Sequence, residues 1–372
     1  MLTPFDDYPL HQTSEPVAHT AQSSLNHYDR YFFNGYSRDG SLYFGAALGL
    51  YPNRSVMDAA FAVLRDGEEI SLIASRRAPL DPTETSVGPI SITIEEPFRQ
   101  MRVRVEPNES GITADLAFRA RSAVVEEPRF TLKNGAISVF DYTRLTQWGA
   151  WEGTLTFDGE THTIAPHEIL GCRDRSWGVR PVGTAPPGPA TCGPQFYWLW
   201  APINFDDLCV HFDTNELSDG AQWHSEGLVM PVLSGPTDPV FGPDVAMETM
   251  KSVSATVDWK PGTRRSQGAT IRLVPHHGEE RVVTLEPLST FHMRGLGYLH
   301  PEFGHGQWKG DLAVHTERWR PDEIDGVDPF YLHVQQIVRA TMGERVGVGV
   351  FEQLVLGPHE PSGFTDILDG AR

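Results

Sequence analysis

"GITADLAFRARSA", residues 111–123, places Ile112, Ala114, Leu116, Phe118 and Ala120 on one face of an extended chain and mostly polar groups on the other. Successive side chains of a strand point to opposite sides, so this two-residue period predicts a half-buried β-strand. The same pattern recurs on either side of it. "RQMRVRVEP" (99–107) alternates Met101, Val103 and Val105. In "EGTLTFDGETHTIAP" (152–166), Leu155 and Phe157 lead into Asp158-Gly159, a tight-turn dipeptide, and Ile164 returns, which predicts a hairpin. Further on, Leu208, Val210 and Phe212 alternate, as do Val253, Ala255, Val257 and Trp259. "ATIRLVPHHGEERVVTLEP" (269–287) reads as a hairpin around His277-Gly278, and "RVGVGVFEQLVL" (345–356) alternates Val346, Val348 and Val350. Helical periodicity is scarce. "MDAAFAVL" (57–64) is short, and "DPFYLHVQQIVRATMGER" (328–345) reads as a strand turning at Met342-Gly343 into the next. The 35 glycines and 29 prolines suit many turns between short strands.

The expected fold class is therefore all-β, with sheets closed or curled to hide their edges. A chain of 372 residues is comfortable for two domains. The best boundary is "RPVGTAPPGPATCGP" (180–194), rich in Pro and Gly. We expect an extended N-terminal arm over 1–26, a β domain over 27–180, a connection over 181–194 and a second β-barrel domain over 195–372.

A formal net charge of -19 argues against nucleic acid and against an anionic membrane surface, because no basic stripe exists to meet either. The opening residues lack a basic start and apolar core, and no apolar run is long enough to span a bilayer. The three cysteines, Cys172, Cys192 and Cys209, read as reduced thiols in a cytoplasmic protein. A homodimer is allowed by these features and not demanded by them.

Chemistry concentrates in "GCRDRSWGVRP" (171–181). As a strand it aims Asp174 to one face with Cys172 and Ser176, and Arg173, Arg175 and Trp177 to the other. Two readings of Asp174 stand: an acid held in a cavity, or one half of an ion-pair clasp. In "PQFYWLWAPINFDD" (194–207), Trp198 and Trp200 share a face opposite Tyr197, suiting either a core strand or a tunnel for an apolar ligand. "FHMRGLGYLHPEFGHGQWKGDL" (291–312) gathers Tyr298, His300, Glu302 and His305 among glycines. It lacks the spacing of a metal site, so no metal is expected, and His305 is a candidate general base. Tyr36 in the first domain and Glu352 in the last strand complete the candidate lining. No P-loop, dinucleotide fingerprint or nucleophile elbow appears, so no cofactor and no covalent nucleophile are expected.

The Asp-x-x-Trp-Gly motif at 174–178, the Trp-x-Trp strand and two β-rich halves resemble the lipocalin-like carotenoid hydratase (hydroxyneurosporene synthase) family. "GLYPNRSVMD", "GLGYLHPEFGHGQWKG" and "FEQLVLGPHEPSGF" look like an uncharacterised bacterial branch of it. The resemblance implies two packed lipocalin- or calycin-like domains around a hydrophobic pocket. It implies an aspartate that protonates an isoprenoid double bond, with Asp174 at the matching position. The hydratases read Asp-His-x-Trp-Gly, whereas Arg175 stands second here. An arginine holds charge or binds a substrate oxygen and does not relay a proton. The expected function is cofactor-independent hydration, dehydration, isomerisation or cyclisation of an isoprenoid, steroid-like or polyketide substrate. Asp174, His305 and Arg175 would be catalytic, and Trp177, Tyr197, Trp198, Trp200, Tyr36, Tyr298 and Glu352 would bind substrate. The other reading is a carrier that binds an apolar molecule without chemistry.

Overall fold

The computed structural model describes residues 2–9, 16–166, 168–183 and 195–372. Most of the expected 181–194 connection, with Cys192, lies outside the described residues. Strand accounts for 56% and helical turns for 5%, as the two-residue period requires. All strand pairings are antiparallel and fall into two sheets.

The first sheet runs Leu312–Trp319, Glu68–Arg77, Val56–Arg65, Leu42–Tyr51, His27–Ser37, Ile169–Val179, Ile137–Phe157, Thr113–Ala120, Gln100–Val105, Ile90–Glu96 and Ser86–Val87. The second closes on itself, because Gln222–Pro231 pairs with Leu208–Glu216 on one side and with Glu248–Trp259 on the other. Three apolar layers result. One fills the curled first sheet (Phe33, Phe44, Phe61, Leu116, Trp151), and one fills the second barrel (Phe212, Ile271, Leu273, Phe351). The third lies between the sheets and joins Phe32, Tyr43 and Trp148 to Trp198, Trp200, Phe291 and Ile337.

Local turns follow their residues. Asp158 and Gly159 take φ of 49° and 77°, the paired positive angles of a two-residue hairpin turn. Strand Val334–Met342 turns at Gly343 into Arg345–Leu356. "MDAAFAVL" lies in strand Val56–Arg65. Its alternation is masked because Met57, Ala59 and Phe61 enter the first core while Ala60, Ala62 and Leu64 enter the middle layer. A strand buried on both faces reads as a continuous apolar run.

Two departures from the expected domain plan stand out. Leu312–Trp319, in the second half of the chain, pairs along its length with Glu68–Arg77 and so covers an edge of the first sheet. The arm includes a short 3₁₀ turn, Pro4–Asp7, whose Asp7 is fully buried.

Candidate active site

Strand Ile169–Val179 lies at the centre of the first sheet, between His27–Ser37 and Ile137–Phe157. Its register sets three rows on the face toward the second barrel. Asp174 sits between Phe32 and Thr146, Ser176 between Arg30 and Arg144, and Gly178 between Tyr28 and Tyr142. The opposite face carries Arg173 and Arg175 into the first barrel. There Arg173 pairs with Asp7 at 2.7 Å, and Arg175 pairs with Asp29 and donates to the Asp7 carbonyl at 3.1 Å. The clasp of the motif is thus made by its arginines and the N-terminal arm, and Asp174 takes no part in it. Arg175 is not in the Asp174 cluster. Trp177 is likewise on the far face, stacked by Arg175 at 5.6 Å and packed near Leu145 and Phe98.

Asp174 is surrounded by protein, yet its side chain is only partly buried. Among the described residues none donates a hydrogen bond to it and no cation lies within ion-pair distance. Burial raises its carboxyl to about 7, assisted by Glu127 and Glu352 and opposed by Arg144 and Arg180. Arg144 is already neutralised by Glu127, Nε to Oε2 at 2.7 Å, and by Asp213 at 3.3 Å.

Glu352 has the opposite character. It accepts from Trp198 Nε1 at 2.9 Å, from His333 Nε2 at 2.8 Å and from Gln335 Nε2. Burial raises its carboxyl, but His333, Gln335 and Trp198 outweigh burial and hold it below its ordinary range. His333 gives its Nε2–H to Glu352, and its Nδ1 is buried and without a partner among the described residues. Arg144 covers the rings of Trp198 at 4.7 Å and Trp200 at 5.3 Å, and Trp200 meets Phe32 edge-on at 6.3 Å.

His305 is placed differently from expectation. Arg180 donates to its Nδ1 at 3.2 Å, which fixes Nε2 as the protonated nitrogen, hydrogen-bonded to the Leu296 carbonyl at 3.0 Å. Burial, Arg30 and Arg180 push its pKa well down. Both nitrogens are committed, whereas Nδ1 of the nearby His333 is not. Its signal was a lone histidine entering the strand after "DPFYL".

Residues 2–365 match the model of a family of unknown function, DUF8625. The chain belongs to DUF8625. No curated protein matches its sequence. Among solved structures, the DUF8625 chain is similar to kievitone hydratase from Nectria haematococca, at 13% identity and a TM-score of 0.55 over 88% of each chain. It is also similar to an AttH candidate from Nitrosomonas europaea, at 16% identity and a TM-score of 0.52, over 88% of this chain and 92% of that one. These likenesses establish a shared fold.

The remaining expected residues of the DUF8625 chain divide between the layers. Tyr298 lies between His305 (4.3 Å) and His333 (4.6 Å) and so belongs to the cluster. Tyr36 is in the middle layer but four positions along its strand from Phe32, accepting from Asn204 at 2.9 Å. Tyr197 points into the second barrel and stacks on His359 at 3.8 Å, as the alternation with Trp198 dictates. His300 and His305 do not converge: His300 Nδ1 accepts from two backbone amides and its Nε2 meets Glu317. Among the described residues, two groups bring three metal-type side chains together, His300/His315/Glu317 and Glu127/His211/Asp213. In each, a guanidinium already occupies the carboxylates, Arg294 on Glu317 and Arg144 on Glu127 and Asp213. These donor sets fit a cation that is already a side chain. No helix of the described residues is long and apolar enough to cross a membrane.

Proposed function

We propose that the DUF8625 chain is a cofactor-independent acid–base enzyme acting on a carbon–carbon double bond of a hydrophobic isoprenoid, steroid-like or polyketide substrate. The observation that carries this reading is two carboxyl groups between the sheets in opposite surroundings: Glu352 accepts from Trp198, His333 and Gln335 and is held low, whereas Asp174 accepts from no described residue and burial raises it to about 7. Such a split supplies an acid and a counter-charge in one site. Asp174 gives its proton to an alkene carbon and becomes a carboxylate. The negative charge of Glu352 stabilises the resulting cation. In hydration, water adds to the cation while His333 Nδ1 takes its proton, with Glu352 stabilising the imidazolium. In isomerisation, the same nitrogen takes a proton from the adjacent carbon. That proton then returns to Asp174 through solvent. A carrier of apolar molecules has no use for a buried neutral acid beside an ionised carboxylate. The kievitone hydratase neighbour is, by its name, a hydratase, so the fold accommodates such chemistry.

The test is incubation with a panel of isoprenoid, steroid and polyketide alkenes in D₂O and in H₂¹⁸O, followed by mass spectrometry. Deuterium or ¹⁸O uptake with the native chain, and its loss with Asp174→Asn, is the expected result. Equal uptake by both proteins would remove Asp174 from the chemistry.

A further inference from the structure

Three arginines reach the inter-sheet face from the central strands, and two are matched by carboxylates. Arg30 pairs with Asp58 at 3.2 Å, and Arg144 with Glu127 and Asp213. Arg180 has no carboxylate within ion-pair distance among the described residues. Its guanidinium lies over the rings of Tyr28 at 4.6 Å and Tyr298 at 5.6 Å, and donates once, to the neutral His305. Its Nε is covered and meets no acceptor. Like Asp174, it is surrounded by protein while its side chain is only partly buried. Asp174 does not neutralise it, being beyond ion-pair distance. Just ahead of Arg180, Gly178 takes φ +136°, and a Cβ there would strike the Asp141 carbonyl at 2.4 Å and Tyr142 Cα at 2.6 Å. An enclosed guanidinium without a counter-charge is costly to keep, and the cost is removed when a ligand brings the charge.

We propose that Arg180 binds an acidic oxygen of the substrate, a carboxylate, phenolate or enolate carried on its apolar skeleton. Tyr28 and Tyr298 hold the guanidinium flat for that oxygen. The inference rests on the reading of the inter-sheet space as the substrate site and narrows its substrate class: a bare hydrocarbon leaves Arg180 unanswered. It also couples binding to chemistry. Arg180 is one of the charges that oppose the proton on Asp174, so an anion on Arg180 helps keep that proton in place.

The experiment compares cis-parinaric acid with its methyl ester, read by energy transfer from tryptophan, on native protein and on Arg180→Gln and Arg180→Lys, each checked by melting temperature. The acid should bind about tenfold to a hundredfold more tightly than the ester, as expected for a hydrogen bond between charged groups. Arg180→Gln should bring the acid down to the ester and leave the ester unchanged, and Arg180→Lys should retain part of the preference. The native comparison needs no variant. Equal affinity for acid and ester, absence of binding by both, or a preference that survives in folded Arg180→Gln would overturn the proposal. Failure of Asp174 as the acid registers separately. An Asp174 carboxyl found ionised at pH 5, with acid still preferred over ester, would sink the catalytic reading and leave the Arg180 subsite standing.

Discussion

Replacing Asp174 with asparagine should stabilise the protein at alkaline pH while abolishing its chemistry. The amide keeps the shape of the side chain and removes its charge. In the unfolded chain the carboxyl ionises near its ordinary 3.8, whereas in the folded protein burial holds the proton until about 7. Between those values the folded state binds the extra proton, so stability falls as pH rises through this window and levels off above it. A rise from 3.8 to about 7 corresponds to about 4 kcal/mol at most. Asparagine has no such term. Urea unfolding at pH 5, 6, 7 and 8 should therefore show the variant gaining on the native chain as pH rises, by up to about 4 kcal/mol at pH 8. Turnover should fall by about 10²–10⁴-fold, the usual share of general acid catalysis. The opposite sign would refute the reasoning. If Asp174 were paired with a buried arginine, Asp174→Asn would cost about 3–5 kcal/mol at neutral pH and the variant would melt early.

The other predictions concern neighbours of that carboxyl. Asp213→Asn should destabilise by about 3–5 kcal/mol in urea unfolding, because it strips a buried carboxylate from Arg144, His211 and His224. Asp7→Asn should cost a similar amount, about 3–5 kcal/mol, by leaving Arg173 unpaired in the first barrel, while ligand affinity at the inter-sheet space stays unchanged. His333→Gln should lower kcat by about 10²-fold or more, and His305→Gln should leave the pH–rate profile in place; a reversed outcome would return the base to His305. Prolonged dialysis against a chelator should leave melting temperature and turnover unchanged, since the carboxylates of both His-containing groups are held by arginines.

The strands were legible because alternation survives wherever one face is buried and the other is not, as in Thr113–Ala120 and Gln100–Val105. It fails where both faces are buried, as in Val56–Arg65, and there only the flanking turns mark the strand. The motif "GCRDRSW" was readable for the same reason. Period two alone separated Asp174 from Arg173 and Arg175, and the structure keeps that separation. The same period places Trp177 and Arg175 away from the site, so both could have been left out of it at the outset. In Leu208–Glu216, His211 and Asp213 alternate against Val210 and Phe212. The apolar face of this strand was legible, but its polar face is explained only by partners from elsewhere in the chain, Glu127, Arg144, His224 and Glu226.

What alternation cannot supply is the state of a carboxyl group. Asp174 and Glu352 are both acids on strands, and nothing in their sequence surroundings says which is ionised. Their difference is made by three donors brought to Glu352 from two strands and a loop, Trp198, Gln335 and His333. Asp174 receives none among the described residues, and the two arginines nearest in sequence are turned away from it by the strand itself. Each donor favours the charged form of the carboxylate that accepts it, and each donor missing at Asp174 leaves burial unopposed. Moving one donor would therefore narrow the gap between the two groups. Thr146, the register partner of Asp174, gives its hydroxyl to Glu127 at 2.6 Å. Removing Glu127 by Glu127→Gln frees the Thr146 hydroxyl and withdraws a negative charge that raises the Asp174 carboxyl. Both changes lower Asp174, so the high-pH limb of the pH–rate profile, where activity is lost as Asp174 ionises, should move down in pH. A limb that stayed fixed in a folded Glu127→Gln protein would mean that another group supplies the proton.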